Sequence, residues 1–164
     1  MEVGRAMRGL SELYLRRSAP PPSAEAIRAF EAHSGITLPA DYLHFLSLAN
    51  GGEPMLDCTF DYAMAFGEYV EGADQVTAFF ALTADPKDGG SIWENTRLLL
   101  NELEFVGKAE NVVCIARNSD FDYIYLDSNT DSPRVCILCY DLKETIPAMA
   151  DLFGEFLACL HFRY

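Results

Sequence analysis

Two cysteines at a three-residue spacing, Cys136 and Cys139, have the arrangement of a redox-active dithiol. That chemistry favours a first thiol at a helix N-terminus, where the helix dipole lowers its pKa. In this chain the pair lies in the apolar run 135–140, which predicts a strand buried on both faces. Strand positions three apart point to opposite faces, so the two sulfurs would not meet. We therefore interpret both residues as buried thiols rather than as a redox pair.

The other three cysteines also lie among apolar neighbours: Cys58, Cys114 and Cys159. Five cysteines are an odd number and a much lower density than disulfide-rich secreted domains have. No apolar run approaches the roughly 20 residues of a membrane span, and no apolar segment of a secretory signal follows the charged residues 1–8. These features predict reduced thiols in the cytoplasm and no membrane association.

The remaining reactive residues show no spacing typical of a metal or catalytic site. His33, His44 and His161 lack the H-E-x-x-H interval, and serine-hydrolase and phosphate-loop patterns are absent. Four aspartates suggest a divalent cation, but without the EF-hand spacing or its final glutamate, turn chemistry on a solvated acidic face explains them better. They are Asp120, Asp122, Asp127 and Asp131. We expect no enzymatic activity, no metal and no cofactor.

Apolar periodicity predicts the elements that position these residues. Apolar residues at helical spacing predict helices over residues 24–34, 40–49, 91–103 and 146–161. Alternating or continuous apolar runs predict strands over residues 56–61, 76–82, 112–116, 123–127 and 135–140. The turn-type residues 127–133 favour antiparallel pairing of the last two strands. The fold class predicted is α+β: a twisted, largely antiparallel sheet flanked by helices in a single domain.

The first 22 residues look different from the rest. Val3–Arg17 carries Met7, Leu10, Leu13 and Tyr14 at helical spacing, and the proline-rich segment 18–22 stops that pattern. We predict a helical N-terminal arm with a stiff linker over residues 1–22 and one domain over residues 23–164, since 164 residues fit a single domain.

The charge of the chain is strongly negative and unevenly distributed. The net charge is −13; residues 1–40 carry five arginines and four glutamates, so the other 124 residues carry −14. Such a field repels nucleic acid and anionic membranes and attracts a basic partner. The alternative is that the acidity serves only solubility, because net charge alone names no partner.

The predicted helix pair carries the most specific pattern in the chain. Residues 27–31, the run Gly35–Tyr42 with Phe45 and Leu46, and the turn Asn50–Gly52 follow one another at set intervals. This pattern resembles the signature of the SUKH superfamily, which includes a fungal cell-wall-synthesis regulator and many bacterial toxin-immunity proteins. The later segments Val112–Ala116, Asp122–Asp127 and Met149–Leu157 resemble the family's closing strands and helix, so the resemblance spans roughly residues 23–162.

The resemblance implies a helix-flanked twisted sheet that acts by binding, and it brings no catalytic residue. The motif residues have mainly a structural interpretation, as a core face and a helix cap. They are Leu38, Pro39, Asp41, Tyr42, Phe45, Leu46, Asn50, Gly51 and Gly52.

Two functions remain open at this point. The first is an immunity protein that binds a toxin, whose acidic side chains mimic the nucleic acid that a basic nuclease expects. The second is a regulatory adaptor or ligand-binding module without a toxin, and an enzyme is a distant third. The partner is predicted to be a protein with a basic domain, and the residues proposed to bind it are Asp57, Asp61, Glu68, Glu71, Asp74, Asp120 and Asp122.

Overall fold

The computed structural model describes residues 15–55, 57–66, 68–105, 110–129, 133–139, 144–147, 153–158 and 160–163, and along most of β3 and β4 it describes the backbone. The helices are α1 (Ala24–Ser34), α2 (Ala40–Leu48), α3 (Ile92–Phe105) and α4 (Phe153–Ala158). The strands are β1 (Leu15–Arg16), β2 (Glu53–Pro54), β3 (Asp57–Phe66), β4 (Glu68–Phe79), β5 (Val112–Asn118), β6 (Tyr123–Asp127), β7 (Arg134–Cys139), β8 (Glu144–Pro147) and β9 (His161–Arg163).

Seven of these strands form one sheet in the order β8-β7-β6-β5-β4-β3-β9. Every pairing in it is antiparallel, and β1 and β2 form a separate antiparallel pair. β3 also lies against β8, which is not its hydrogen-bonded neighbour, so the sheet curls back on itself. The predicted single α+β domain with a twisted, largely antiparallel sheet and flanking helices is confirmed.

The three central strands form the middle of the core. β5, β6 and β7 are buried along most of their length, as continuous apolar runs require when both faces are covered. α3 packs against β5, where the Thr96 hydroxyl accepts a hydrogen bond of 3.0 Å from the Cys114 amide. A β-bulge between Cys114 and Ala116 interrupts the ladder there, so the helix supplies the partner that this amide needs.

Local sequence signals determine the ends of α1 and the start of α2. The Ser23 hydroxyl caps α1 by accepting a hydrogen bond from the Ala26 amide, and Gly35 ends the helix in the left-handed conformation at φ +71°. Pro39 precedes α2 with φ −59°, a value already compatible with a helix start. The two predicted helices are therefore confirmed to within a residue.

The predicted helix over residues 146–161 is wrong at both ends. Glu144–Pro147 forms β8 and pairs with β7, and His161–Arg163 forms β9 and pairs with β3. Pro147 is tolerated in β8 because an edge strand does not need every amide in a ladder. Only residues 153–158 are described as helical.

The predicted N-terminal helix is also wrong at its end, and the hairpin of β3 and β4 is longer than expected. Leu15 and Arg16 form β1, which pairs with β2; residues 1–14 lie outside the described residues. The proline-rich segment is held to the rest of the molecule, because the Ala19 amide donates to the Asn50 carbonyl oxygen at 2.9 Å. The predicted strands over 56–61 and 76–82 form parts of one hairpin whose strands run from Asp57 to Phe79.

Candidate functional site

The apolar residues of the helix-pair motif lie in the core. Leu38, Tyr42, Phe45 and Leu46 are all buried, and Phe156 of α4 is buried too, as predicted. The ring of Phe153 joins the two helices: its centroid lies 4.9 Å from that of Tyr42 and 5.1 Å from that of Phe45. These edge-on aromatic contacts bring α2 and α4 together over the sheet.

Tyr42 has a feature that its position in the motif does not predict. Its hydroxyl is buried and has no hydrogen-bond partner among the described residues. Burial, and then the nearby Cys114, raise the pKa of this phenol well above its usual value. The hydroxyl thus costs stability where it lies, because a buried polar group without a partner keeps the cost of its desolvation.

Asp41 joins the first turns of two helices. One carboxylate oxygen accepts a hydrogen bond of 2.8 Å from the Tyr42 amide, and the other accepts one of 2.8 Å from the Gly154 amide. Both amides lie in first turns, where backbone donors lack helical partners and a negative charge is favourable. This motif residue therefore fastens α4 to α2.

Asn50 ties three chain segments together. Its Oδ1 accepts a hydrogen bond of 2.8 Å from the Leu82 amide, and its Nδ2 donates to the carbonyl oxygens of Pro20 at 2.8 Å and Leu82 at 3.0 Å. The predicted role of the turn as a helix cap is wrong, because the residue after α2 is Ala49 in an extended conformation.

The two glycines that follow Asn50 allow backbones to approach closely. Gly51 and Gly52 have φ of +72° and +123°. A β-carbon would lie 2.7 Å from the Ala81 nitrogen at Gly51 and 2.7 Å from the Arg16 carbonyl oxygen at Gly52. Both positions therefore require glycine for conformation and for space.

The described thiols are structural. None of the four cysteines that the structure describes forms a disulfide; Cys136 is buried in β7 as expected, whereas Cys139 at the end of that strand is only partly buried. Burial raises the pKa of the Cys58 thiol to about 12 and that of Cys114 well above its usual value. Cys159 lies outside the described residues. Over the described part of the chain, no three metal-ligating side chains cluster, and no helix is long and apolar enough to cross a membrane.

The predicted acidic residues of the β3–β4 hairpin divide between two faces. Residues opposite each other in an antiparallel pair share a face, and successive residues alternate. The register therefore places Asp57, Asp61 and Glu71 on one face and Glu68 and Asp74 on the other. The second face is the one that carries the buried residues Cys58 and Val76. One flat patch cannot contain all five positions.

The turn between β5 and β6 brings two further predicted residues to the same region. Asn118, the last residue of β5, pairs with Val76, two residues from Asp74, and its amide donates to the Asp122 carbonyl oxygen at the start of β6. Glu68 lies six residues further along β4, about 20 Å away at the usual rise per strand residue. Asp120 and Asp122 thus lie at the end of the β4–β5 ladder that is nearer to Asp74, and Glu68 lies further away.

A side chain at the base of this turn holds it rigidly. Asn118 Oδ1 accepts hydrogen bonds from the amides of Asp120 at 3.0 Å and Asp122 at 2.8 Å, and Nδ2 donates to the Asp122 carboxylate at 3.0 Å. Asp122 is consequently buried, and Asp120 is exposed. Of the two predicted binding residues, Asp120 is the one whose side chain reaches solvent.

Phe121, between Asp120 and Asp122, was not among the predicted binding residues. Phe121 is 70% exposed, has φ of +64°, and lies under the Arg117 guanidinium, whose carbon is 5.2 Å from the ring centroid. One signal in the sequence could have identified it. Aromatic residues are enriched in strands, whereas this one lies between two aspartates in a turn.

The segment of the chain that contains the β3–β4 hairpin carries acidic residues and no strongly basic ones. No lysine or arginine lies between Arg28 and Lys87, a stretch that contains nine acidic residues. β3 and β4 lie wholly within it. The neighbouring strands bring two arginines alongside the hairpin, since Arg163 of β9 pairs with Asp57 and Arg117 of β5 pairs with Ala78. The segment itself adds only negative charge, which favours a positively charged partner.

Comparison with protein families gives a match over most of the chain. The model of the SMI1 / KNR4 family (SUKH-1) matches residues 21–159 of the chain. Comparison with curated proteins and with solved structures found no match.

Proposed function

The chain belongs to the SMI1 / KNR4 family (SUKH-1), and on that premise we propose that it is a non-catalytic immunity protein. It binds a toxin with a basic domain and blocks the toxin's active surface by occupying it. The family includes immunity proteins, and it acts through protein–protein interaction.

The distribution of charge carries this proposal. The excess acid lies after residue 40, and the β3–β4 hairpin has no lysine or arginine. A nuclease binds its substrate through a basic surface, so acidic side chains on a sheet compete for the same contacts. Opposite potentials also speed the encounter of the two proteins, which an inhibitor needs if it must act before the toxin does.

The chemistry of the described nucleophiles agrees with binding rather than catalysis. Cys58 and Cys114 have raised pKa values because they are buried, so neither is a thiolate at neutral pH. Reduced, buried cysteines also suit the cytoplasm, where we propose that the protein acts.

The test begins with the native partner. The chain is used to capture proteins from the cells that encode it, and mass spectrometry identifies the retained protein. That protein is then expressed in a bacterial host with and without the chain. We expect it to arrest growth alone, and we expect growth to recover when the chain is co-expressed.

A charge-reversal variant separates loss of binding from loss of folding. Asp120→Lys reverses an exposed charge, so the melting temperature should hold while rescue weakens. A captured protein that is harmless on its own would contradict toxin neutralisation and would favour the regulatory adaptor.

A further inference from the structure

Phe121 differs from the other exposed apolar side chains of the described residues. Leu48, Met55 and Phe121 are 54%, 58% and 70% exposed. Single exposed apolar residues are common and need no explanation. Phe121 alone of the three has a positive φ, and it lies in a turn that the Asn118 side chain clamps.

The backbone at Phe121 is unfavourable for the residue it carries. A φ of +64° suits glycine or asparagine, and a bulky residue there is strained. The ring contributes little burial in return, since most of it lies in solvent. Folding alone would therefore favour another residue, and strain that persists at an exposed position is a recognised sign of function.

The turn also holds the ring ready for contact. The Arg117 guanidinium lies over one face of the ring, and the clamp from Asn118 fixes the backbone on both sides of it. A side chain that is already ordered loses less entropy on binding. Phenylalanine and arginine are both enriched in protein interfaces relative to the rest of the surface.

We propose that Phe121 is the anchor of the partner-binding surface and inserts into an apolar pocket with a basic rim on the partner. The charge at the turn selects the basic rim: Asp120 is exposed next to Phe121 in the chain, and β4 continues past its last pair with β5, at Val76, towards Asp74. Arg117 is the one cation of residues 110–129 and keeps its charge over the ring, but the acidic residues of the turn, Asp120 and Asp122, outnumber it. This proposal rests on the proposed function in that the chain must bind a protein partner at this turn, but the partner need not be toxic.

Site-specific photo-crosslinking tests the contact directly. Benzoylphenylalanine replaces Phe121 in the full chain within the cells that encode it, and the same substitution at Leu48 and Met55 provides matched exposed controls. We expect a protein adduct at position 121 at several times the yield of either control. Equal yields, or an adduct between two copies of the chain, would overturn the proposal.

The second measurement uses the partner that the crosslink identifies, purified without a crosslink. The rate at which it dissociates from each variant of the chain is compared. We expect Phe121→Ala to weaken binding about 30-fold or more, as loss of a central anchor does, and Leu48→Ala to change it less than about 2-fold. Phe121→Asn should bind as poorly as Phe121→Ala with a melting temperature no lower than that of the unmodified chain. A lower melting temperature for Phe121→Asn would assign Phe121 to folding and contradict the proposal.

The two proposals fail in different ways. A non-toxic protein crosslinked at position 121 would leave the anchor standing and remove toxin neutralisation. A toxin crosslinked through Leu48 or Met55 instead would leave neutralisation standing and remove the anchor.

Discussion

The helix-pair motif and the β5–β6 turn put the same kinds of residue to opposite uses. In the motif, Phe45 is buried and Asp41 binds two helix amides within the molecule. In the turn, Phe121 and Asp120 are exposed, and the backbone at Phe121 is strained. The residues that make the family recognisable therefore hold the fold together, and we propose that partner choice lies where the local structure departs from what folding favours.

Removal of the Phe45 ring should have the largest effect on the stability of the motif. Its ring centroid lies 5.1 Å from that of Phe153 and 5.2 Å from that of Phe79, so truncation leaves a cavity between helix and sheet. Phe45→Ala should lower the free energy of unfolding by about 3–5 kcal/mol. Denaturant melts measure this, with Leu48→Ala on the exposed side of α2 as the control. A loss below about 1 kcal/mol would mean that the ring is not part of a packed core.

Truncation of Asn50 should have the next largest effect. Asn50→Ala leaves the amide and carbonyl of Leu82 and the carbonyl of Pro20 without their side-chain partner. A buried group left unsatisfied costs about 1–3 kcal/mol, so we expect a total loss of about 2–3 kcal/mol. Asn101→Ala on the exposed side of α3 is the matched control and should be close to neutral. Equal melts for the two variants would remove the structural role we assign to the turn.

Tyr42→Phe should have a small effect in the opposite direction. It deletes the buried hydroxyl that has no partner among the described residues, so the free energy of unfolding should stay equal or rise by up to about 1 kcal/mol. Tyr125→Phe is the control, because its hydroxyl bonds to the Thr145 side chain and its loss should cost about 1 kcal/mol. A loss of stability in Tyr42→Phe would reveal a hydrogen bond that the hydroxyl makes after all.

Charge reversal on the β3–β4 hairpin should have its effect on association with the partner. Asp61 and Glu71 share one face of the hairpin, and Glu68 and Asp74 share the other. We expect the double lysine variant of whichever face contacts the partner to slow association with the captured partner about 10-fold at low salt, with the difference shrinking as salt rises. Surface plasmon resonance across a salt series compares the two double variants. An association rate that neither pair changes at any salt concentration would mean that the acidity serves only solubility.

Sequence reasoning succeeded where local signals suffice. Ser23, Gly35 and Pro39 mark the ends of α1 and the start of α2, and the structure follows them. It failed where pairing between distant segments decides the structure. β8 takes residues that fit a helical period, and most of β4 was missed because Gly72 and its acidic residues have low strand propensity.

The candidate site was predictable only in part. Composition located the acidic residues, but only the register shows that they divide between two faces. The burial of Asp122 and the exposed, strained ring of Phe121 depend on the clamp from Asn118. No spacing rule for side chains predicts such a clamp, because it depends on where two paired strands end.

We propose that this chain neutralises its partner by occupying a surface and not by chemistry. The most direct test is a titration of the purified toxin with the chain, with toxin activity as the readout. We expect toxin activity to fall linearly to zero at one chain per toxin, and to return after the complex is separated in high salt. Inhibition by far less than one equivalent, or a toxin that stays inactive or altered in mass after separation, would contradict it.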